Sequence, residues 1–334
     1  MLIFSIIGTL IGAGFASGQE IYVFFYKYGI NGILGLILCS FMIGITIYMT
    51  LDTVYNKKIN NYESYLHENF NSKKMCYVSN IIVNVFLLIT FYIMVAGFGS
   101  YFEQQFNISN IIGVIIFSFL CFIVLIKDIE RVKKVNSIIV PTLIIVVLVL
   151  GFLSSKQIKI SNIKVMNNSY NWTLQALVYC SYNMILVIPV LVSLGKYIKN
   201  KKQLKLISTT SSAIVCILAL SIFFILMTIK VDYSKIQMPA VYAIDKSFSQ
   251  FSYIYGVVIL LSIFSTAISI GISFINNMTQ NKKSYPQIAA KMCISSVLIS
   301  NFGFSNLVKI FFPIFGYLGM LQILVIFKKF ITKK

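Results

Sequence analysis

Charge is scarce in this chain, and acidic charge is the scarcest: nine Asp and Glu stand against 28 Lys and Arg among 334 residues. With 11% charged and 58% hydrophobic residues, it lacks the polar surface that a soluble globule of this length presents to water. There is a single histidine, His67, placed in a loop, and none of the six cysteines (Cys39, Cys76, Cys121, Cys180, Cys216, Cys293) belongs to a CxxC pair. That spacing offers neither a metal-ligand cluster nor a redox motif, and the cysteines read as small core residues. No nucleophile stands with a paired base and no glycine loop has phosphate-binding spacing, which argues against an enzyme. No basic stretch precedes the first apolar run and no small-residue cleavage pattern follows it, so that run is expected to remain as a span rather than be removed as a signal peptide.

What the chain has instead is long apolar runs. At a rise of about 1.5 Å per residue a span needs about 20 residues. Stretches of that kind fall at 2–26, 30–51, 76–103, 107–126, 135–153, 172–195, 205–230, 252–276, 286–301 and 304–328. The expected class is therefore all-α, a polytopic protein of the lipid bilayer with about ten transmembrane helices. Nineteen of the Lys and Arg fall in alternate connections and at the C-terminus, against seven in the others. This bias places both termini in the cytoplasm of a multi-pass plasma-membrane protein and makes the net charge of +19 an orientation signal, not a nucleic-acid footprint. The polar stretch 154–171 divides the ten into five and five, repeat one at about 2–153 and repeat two at about 172–328. An odd number per half inverts the second half, as in many secondary transporters. Asp232 to Phe251 is too polar to cross and reads as an external cap, with Pro239 opening a short helix. The connection from Asp52 to Met75 has room for one short amphipathic helix.

The first span carries Gly12-Ala13-Gly14-Phe15-Ala16-Ser17-Gly18-Gln19-Glu20 inside an apolar segment. Gly14 suits the left-handed residue that closes a helix, and Ser17 with Glu20 has capping-box spacing for a new helix from Ile21. Unwound backbone in a membrane survives only beside a protein-lined or water-lined cavity, so the break points to a solute site. Two readings of Glu20 stay open: a cap near Ser17, or a proton carrier or gate together with Gln19. In the eighth span Ser262, Ser265, Thr266, Ser269 and Ser273 form one helical face of hydroxyls. They either offer oxygen ligands to a hard cation or bond back to their own helix and glue neighbours together. The sixth span carries Tyr179-Cys180-Ser181-Tyr182-Asn183 at its middle and Pro189 beyond, read as a second break or as a kink.

The Gly12 to Glu20 string, preceded by Gly8-Thr9 and followed by Ile21, resembles the first span of YkvI-like bacterial membrane proteins, which are similar to the amino acid-polyamine-organocation superfamily. The resemblance implies a LeuT-like five-plus-five inverted repeat with discontinuous helices 1 and 6. It implies a secondary active transporter of a small amino acid or related zwitterion working by alternating access. The alternative is an amino-acid-sensing subunit of the same fold, as in germinant receptors. Position by position, Gly12, Ala13, Gly14 and Ser17 would meet the solute carboxylate, with Tyr179, Cys180 and Ser181 facing it from the sixth span and Tyr92 from the third. Gly8, Ile11, Ser262, Ser265 and Thr266 match the sodium site of sodium-coupled relatives. The fifth span lacks the lysine that some proton-coupled relatives place there, which favours sodium. No organic cofactor is implied.

Overall fold

The computed structural model describes residues 2–70, 72–127, 129–158, 171–279, 281 and 283–332, with the backbone alone described at 13, 127 and 129–138. Lys159, Lys164, Lys282, Lys333 and Lys334, which belong to the charge tally above, lie outside the described residues. Among the described residues every regular element is helical. The first span is three pieces, α1 (Leu2–Leu10), α2 (Ala13–Ala16) and α3 (Gln19–Phe24). It is followed by α4 (Ile30–Lys57), the short α5 (Tyr62–Asn69), α6 (Lys73–Phe106), α7 (Asn110–Lys127) and α8 (Ile129–Gln157). The second half holds α9 (Asn171–Leu194), α10 (Lys201–Leu226), α11 (Pro239–Ser247), α12 (Ser249–Met278), α13 (Tyr285–Ser300) and α14 (Phe304–Thr332).

Seven described helices are long and apolar enough to cross a bilayer, and Asn110–Ile126 is slightly shorter. With the broken first span and the 16-residue α13, they occupy the ten positions read from the sequence. The two short extra-membrane helices also form where expected. Asn61 caps α5 through its side chain, accepting from the Ser64 amide at 2.8 Å, and Pro239 opens α11. Outward faces carry exposed apolar side chains such as Phe41, Phe119 and Leu321, the surface that lipid solvates.

The sixth span departs from expectation. Helix α9 runs unbroken through Tyr179–Asn183, and Pro189 sits inside it. The physical reason is local: no glycine supplies a left-handed residue, and the polar side chains of this stretch bond back along the helix. Ser181 Oγ donates to the Leu177 carbonyl at 2.7 Å, and Asn183 Nδ2 to the Tyr179 carbonyl at 2.9 Å. Close helix approach comes from small residues on the partner. A Cβ on Gly316 or Gly319 of α14 would press into Val178, Ser181 or Ile185 of α9, so these two helices pack at backbone distance. Of the first and sixth spans, only the first is discontinuous among the described residues, and α9 meets it as a continuous helix.

Candidate functional site

The first span breaks twice. The helical ladder runs to Ile11 N–H donating to the Ile7 carbonyl at 2.8 Å and is next met at Ala16 N–H to the Gly12 carbonyl at 3.0 Å. Ala13 opens the single turn α2, with Gly14 inside it, so Gly14 is not the left-handed residue. That residue is Gly18, φ +78°, between α2 and α3. A Cβ there would stand 2.8 Å from Ala240 Cβ and 2.9 Å from its nitrogen, so this position needs glycine for both conformation and space.

The carbonyls left free by the second interruption are taken by the cap. Ala240 N–H donates to the Ser17 carbonyl at 2.8 Å, and Tyr255 Oη of α12 donates to the Ala16 carbonyl at 2.5 Å. The capping box does not form. Ser17 Oγ donates to the Gly14 carbonyl at 3.0 Å and accepts from the Gln19 amide at 3.3 Å, while the Glu20 side chain turns away from Ser17. Its carboxylate accepts from Tyr179 Oη at 3.1 Å and from Tyr182 Oη, both on α9, and covers Gly14, whose Cβ would meet it. A carboxylate holding two hydroxyl donors gains more than one capping a frayed amide, which is why the local motif yields to the distant partners. Gln19, fully buried, donates through Nε2 to Ser305 Oγ at 2.8 Å, and its Oε1 has no partner.

The two tyrosines bonded to the carboxylate sit in a cluster of rings. Tyr179 meets Phe25 at 4.9 Å, Tyr182 at 5.1 Å and Phe24 at 5.2 Å between centroids, and Tyr182 stacks on Phe312 at 4.8 Å. The sequence reading passed over Tyr182; the signal was its spacing, since residues i and i+3 share a helix face and Tyr179 was already singled out.

The residues assigned to a cation gather in one place. Gly8, Ile11, Ser262, Ser265 and Thr266 line a small cavity with Ile139, Val140 and Leu143 of α8. It lies where the end of α1 passes α8 and α12; most of its lining is apolar, and Ser262, Ser265 and Thr266 bring to it the hydroxyl-bearing side chains, the donor type hard cations take. The rest of the hydroxyl stripe does not line it: Ser273 is exposed and donates to the Ser269 carbonyl at 2.8 Å.

Other expected solute contacts are directed elsewhere. Tyr92 Oη pairs with Ser295 Oγ of α13 at 2.7 Å, Cys180 lies against Cys39 of α4, and the Ser181 hydroxyl is spent on the Leu177 carbonyl. The structure brings Gly12, Gly14, Ser17, Gln19, Glu20 and Tyr179 into one neighbourhood, and leaves Tyr92, Cys180 and Ser181 outside it. At the cap end, outside the membrane, Asp232 accepts from the Ser234 hydroxyl and amide, which holds its carboxyl below the usual range.

A broken first span crossed by a scaffold of long apolar helices defines an all-helical, multi-pass membrane protein of the LeuT fold. MhsT in complex with L-phenylalanine superimposes with a TM-score of 0.68 over 96% of this chain and 87% of MhsT, at 14% identity. A manganese transporter variant from Eremococcus coleocola gives 0.64 over 97% of this chain and 78% of that one, at 14% identity. Mhp1, a nucleobase-cation-symport-1 family transporter closed around bromovinylhydantoin, gives 0.54 over 96% and 70%, at 12% identity. No family model matches the chain. It is homologous to YkvI-type membrane proteins of Bacillus subtilis (strain 168): YkvI itself is 27% identical, with 96% of this chain and 92% of YkvI aligned, and YyaD is 24% identical over 94% and 92%.

Proposed function

We propose that this chain is a secondary active transporter of a small amino acid or related zwitterion, coupled to sodium, with both termini cytoplasmic in the plasma membrane and the two halves 2–153 and 172–328 acting as inverted repeats. The observation that carries the reading is the convergence of Gly8, Ile11, Ser262, Ser265 and Thr266 on one small cavity beside the interrupted backbone. A cation held there joins α1 to α12, so its arrival favours one arrangement of the first span over another. Two neighbours of the same fold, the manganese transporter and Mhp1, are named as transporters, which supports the general reading.

The test is uptake of a labelled amino-acid panel into proteoliposomes, with and without sodium and proton gradients. Gradient-driven accumulation is expected, with a steep dependence on sodium. Ser265→Ala combined with Thr266→Ala is expected to lower apparent sodium affinity tenfold or more; an unchanged dependence removes the cation assignment. Absence of accumulation for every member under every gradient overturns the transporter reading for these solutes.

A further inference from the structure

We propose that the solute charge recognised at the break is positive, a primary or methylated ammonium, and that Glu20 is its counter-charge. This rests on the transporter reading above and changes which end of the solute is read. A scheme in which the amides near Gly14 bind a solute carboxylate would bring that carboxylate beside Glu20. The Glu20 side chain lies against Gly14: a Cβ on Gly14 would lie 3.0 Å from both Cγ and Cδ of Glu20, with the carboxylate oxygen closer still. A second carboxylate brought there would meet the first in a medium of low dielectric, where like charges repel strongly.

The surroundings of Glu20 suit a cation instead. Its side chain is buried, 4% exposed, and among the described residues no Lys, Arg or His nitrogen lies within 4.0 Å of its carboxylate. The Tyr179 and Tyr182 hydroxyls orient the carboxylate without neutralising it. A buried carboxylate lacking a cationic partner is costly, and a ligand that brings the missing charge recovers that cost on binding. Tyr179 and Tyr182, whose hydroxyls reach the carboxylate, belong to one contiguous group of rings with Phe24, Phe25 and Phe312. Carboxylate and ring faces together are the chemistry that takes an alkylammonium, the rings through their quadrupoles and the carboxylate through its charge. Neither requires a carboxylate on the solute.

The experiment uses the full chain in proteoliposomes and three matched series of labelled compounds: amino acids, the amines left when their carboxylates are removed, and the acids left when their amino groups are removed. Uptake of the amines, or their competition at concentrations equal to or below those of the parent amino acids, is expected, with no effect of the acids at hundredfold higher concentration. Glu20→Gln is expected to weaken the amines tenfold or more and Glu20→Asp to retain part of the affinity, both read on protein shown to be monodisperse with a wild-type thermal midpoint. Competition by the acids and not the amines overturns the proposal and leaves the transporter reading standing. Glu20→Gln that keeps amine affinity and loses only pH dependence overturns it in favour of a proton site. If none of the three series is taken up under any gradient, the transporter reading fails and the proposal falls with it. Should Glu20→Gln not fold, the wild-type competition order and Glu20→Asp decide alone.

Discussion

Gly18 is where the cap is fastened to the broken span, and replacing it by alanine is expected to loosen that fastening by an amount the geometry sets. The left-handed conformation costs a residue with a Cβ about 1–2 kcal/mol. The new Cβ would overlap Ala240 at 2.8 and 2.9 Å, and relieving such an overlap costs about 1–3 kcal/mol more. Much of the strain is released when α11 lifts away and gives up the bond from Ala240 N–H to the Ser17 carbonyl. A shift of about 3 kcal/mol in favour of the lifted arrangement raises its population about a hundredfold. The reporter is Ala243→Cys, a fully buried position on α11, in a chain whose half-buried Cys216 has been changed to alanine. Maleimide labelling, run slowly enough that reclosure outpaces reaction, then reads the open fraction. Gly18→Ala is expected to speed labelling by about two orders of magnitude, from the same energies. Ala240→Gly in the same chain removes the 2.8 Å overlap and leaves the 2.9 Å one, so partial recovery is expected. Labelling within about threefold of the parent would refute the reasoning, because that is under 1 kcal/mol.

Gly14→Ala places a methyl group where the Glu20 carboxylate lies, so it is expected to push that side chain off Tyr179 and Tyr182 and destabilise the protein by about 1–3 kcal/mol, read by denaturant titration in mixed micelles. Tyr255→Phe, which removes the hydroxyl on the Ala16 carbonyl, is expected to cost about 1–3 kcal/mol, because that carbonyl is left buried without its donor. Asp232 titrates below its ordinary value of 3.8 in the folded chain, so its contribution is present above that pH and disappears as pH falls through the lower folded value. The thermal midpoint of the parent is expected to exceed that of Asp232→Asn at neutral pH, with the two converging in acid; a constant gap would rule out the Ser234 bonds as the cause.

Most of the architecture was legible because bilayer thickness forces it: an apolar run of about 20 residues has few alternatives to a spanning helix. Punctuation was legible where a residue type carries its own constraint, as with Pro239 at the start of α11. It misled where a local motif competes with distant partners. Gly14 and Gly18 are equally permissive, and only Ala240, more than 200 positions away, decides that Gly18 takes the left-handed turn. Glu20 has capping-box spacing, but its partners are 159 and 162 positions along the chain. The hydroxyl stripe was legible as a face, whereas its division into a cavity-lining part and an exposed Ser273 depends on where α1 and α8 cross it.

Because α9 is continuous through Tyr179–Asn183, that stretch has no unwound backbone to offer the break, and its part in any site is played by side chains. The bond from Tyr182 to Glu20, with that from Tyr179, ties α9 to α3, so its strength is a measurable link between them. Tyr182→Phe keeps the ring stacked on Phe312 and removes only the hydroxyl, at an expected cost of about 1.5–3 kcal/mol for a bond to a charged acceptor. Glu20→Gln alone removes the charge while leaving an amide oxygen able to accept. If the two groups act through each other, the double variant loses less than the sum of the single ones, by more than about 0.5 kcal/mol, the margin within which independent sites add. Additive losses would mean that the Tyr182 hydroxyl and the Glu20 carboxylate serve separate partners, and the break would then be joined to α9 by ring packing alone.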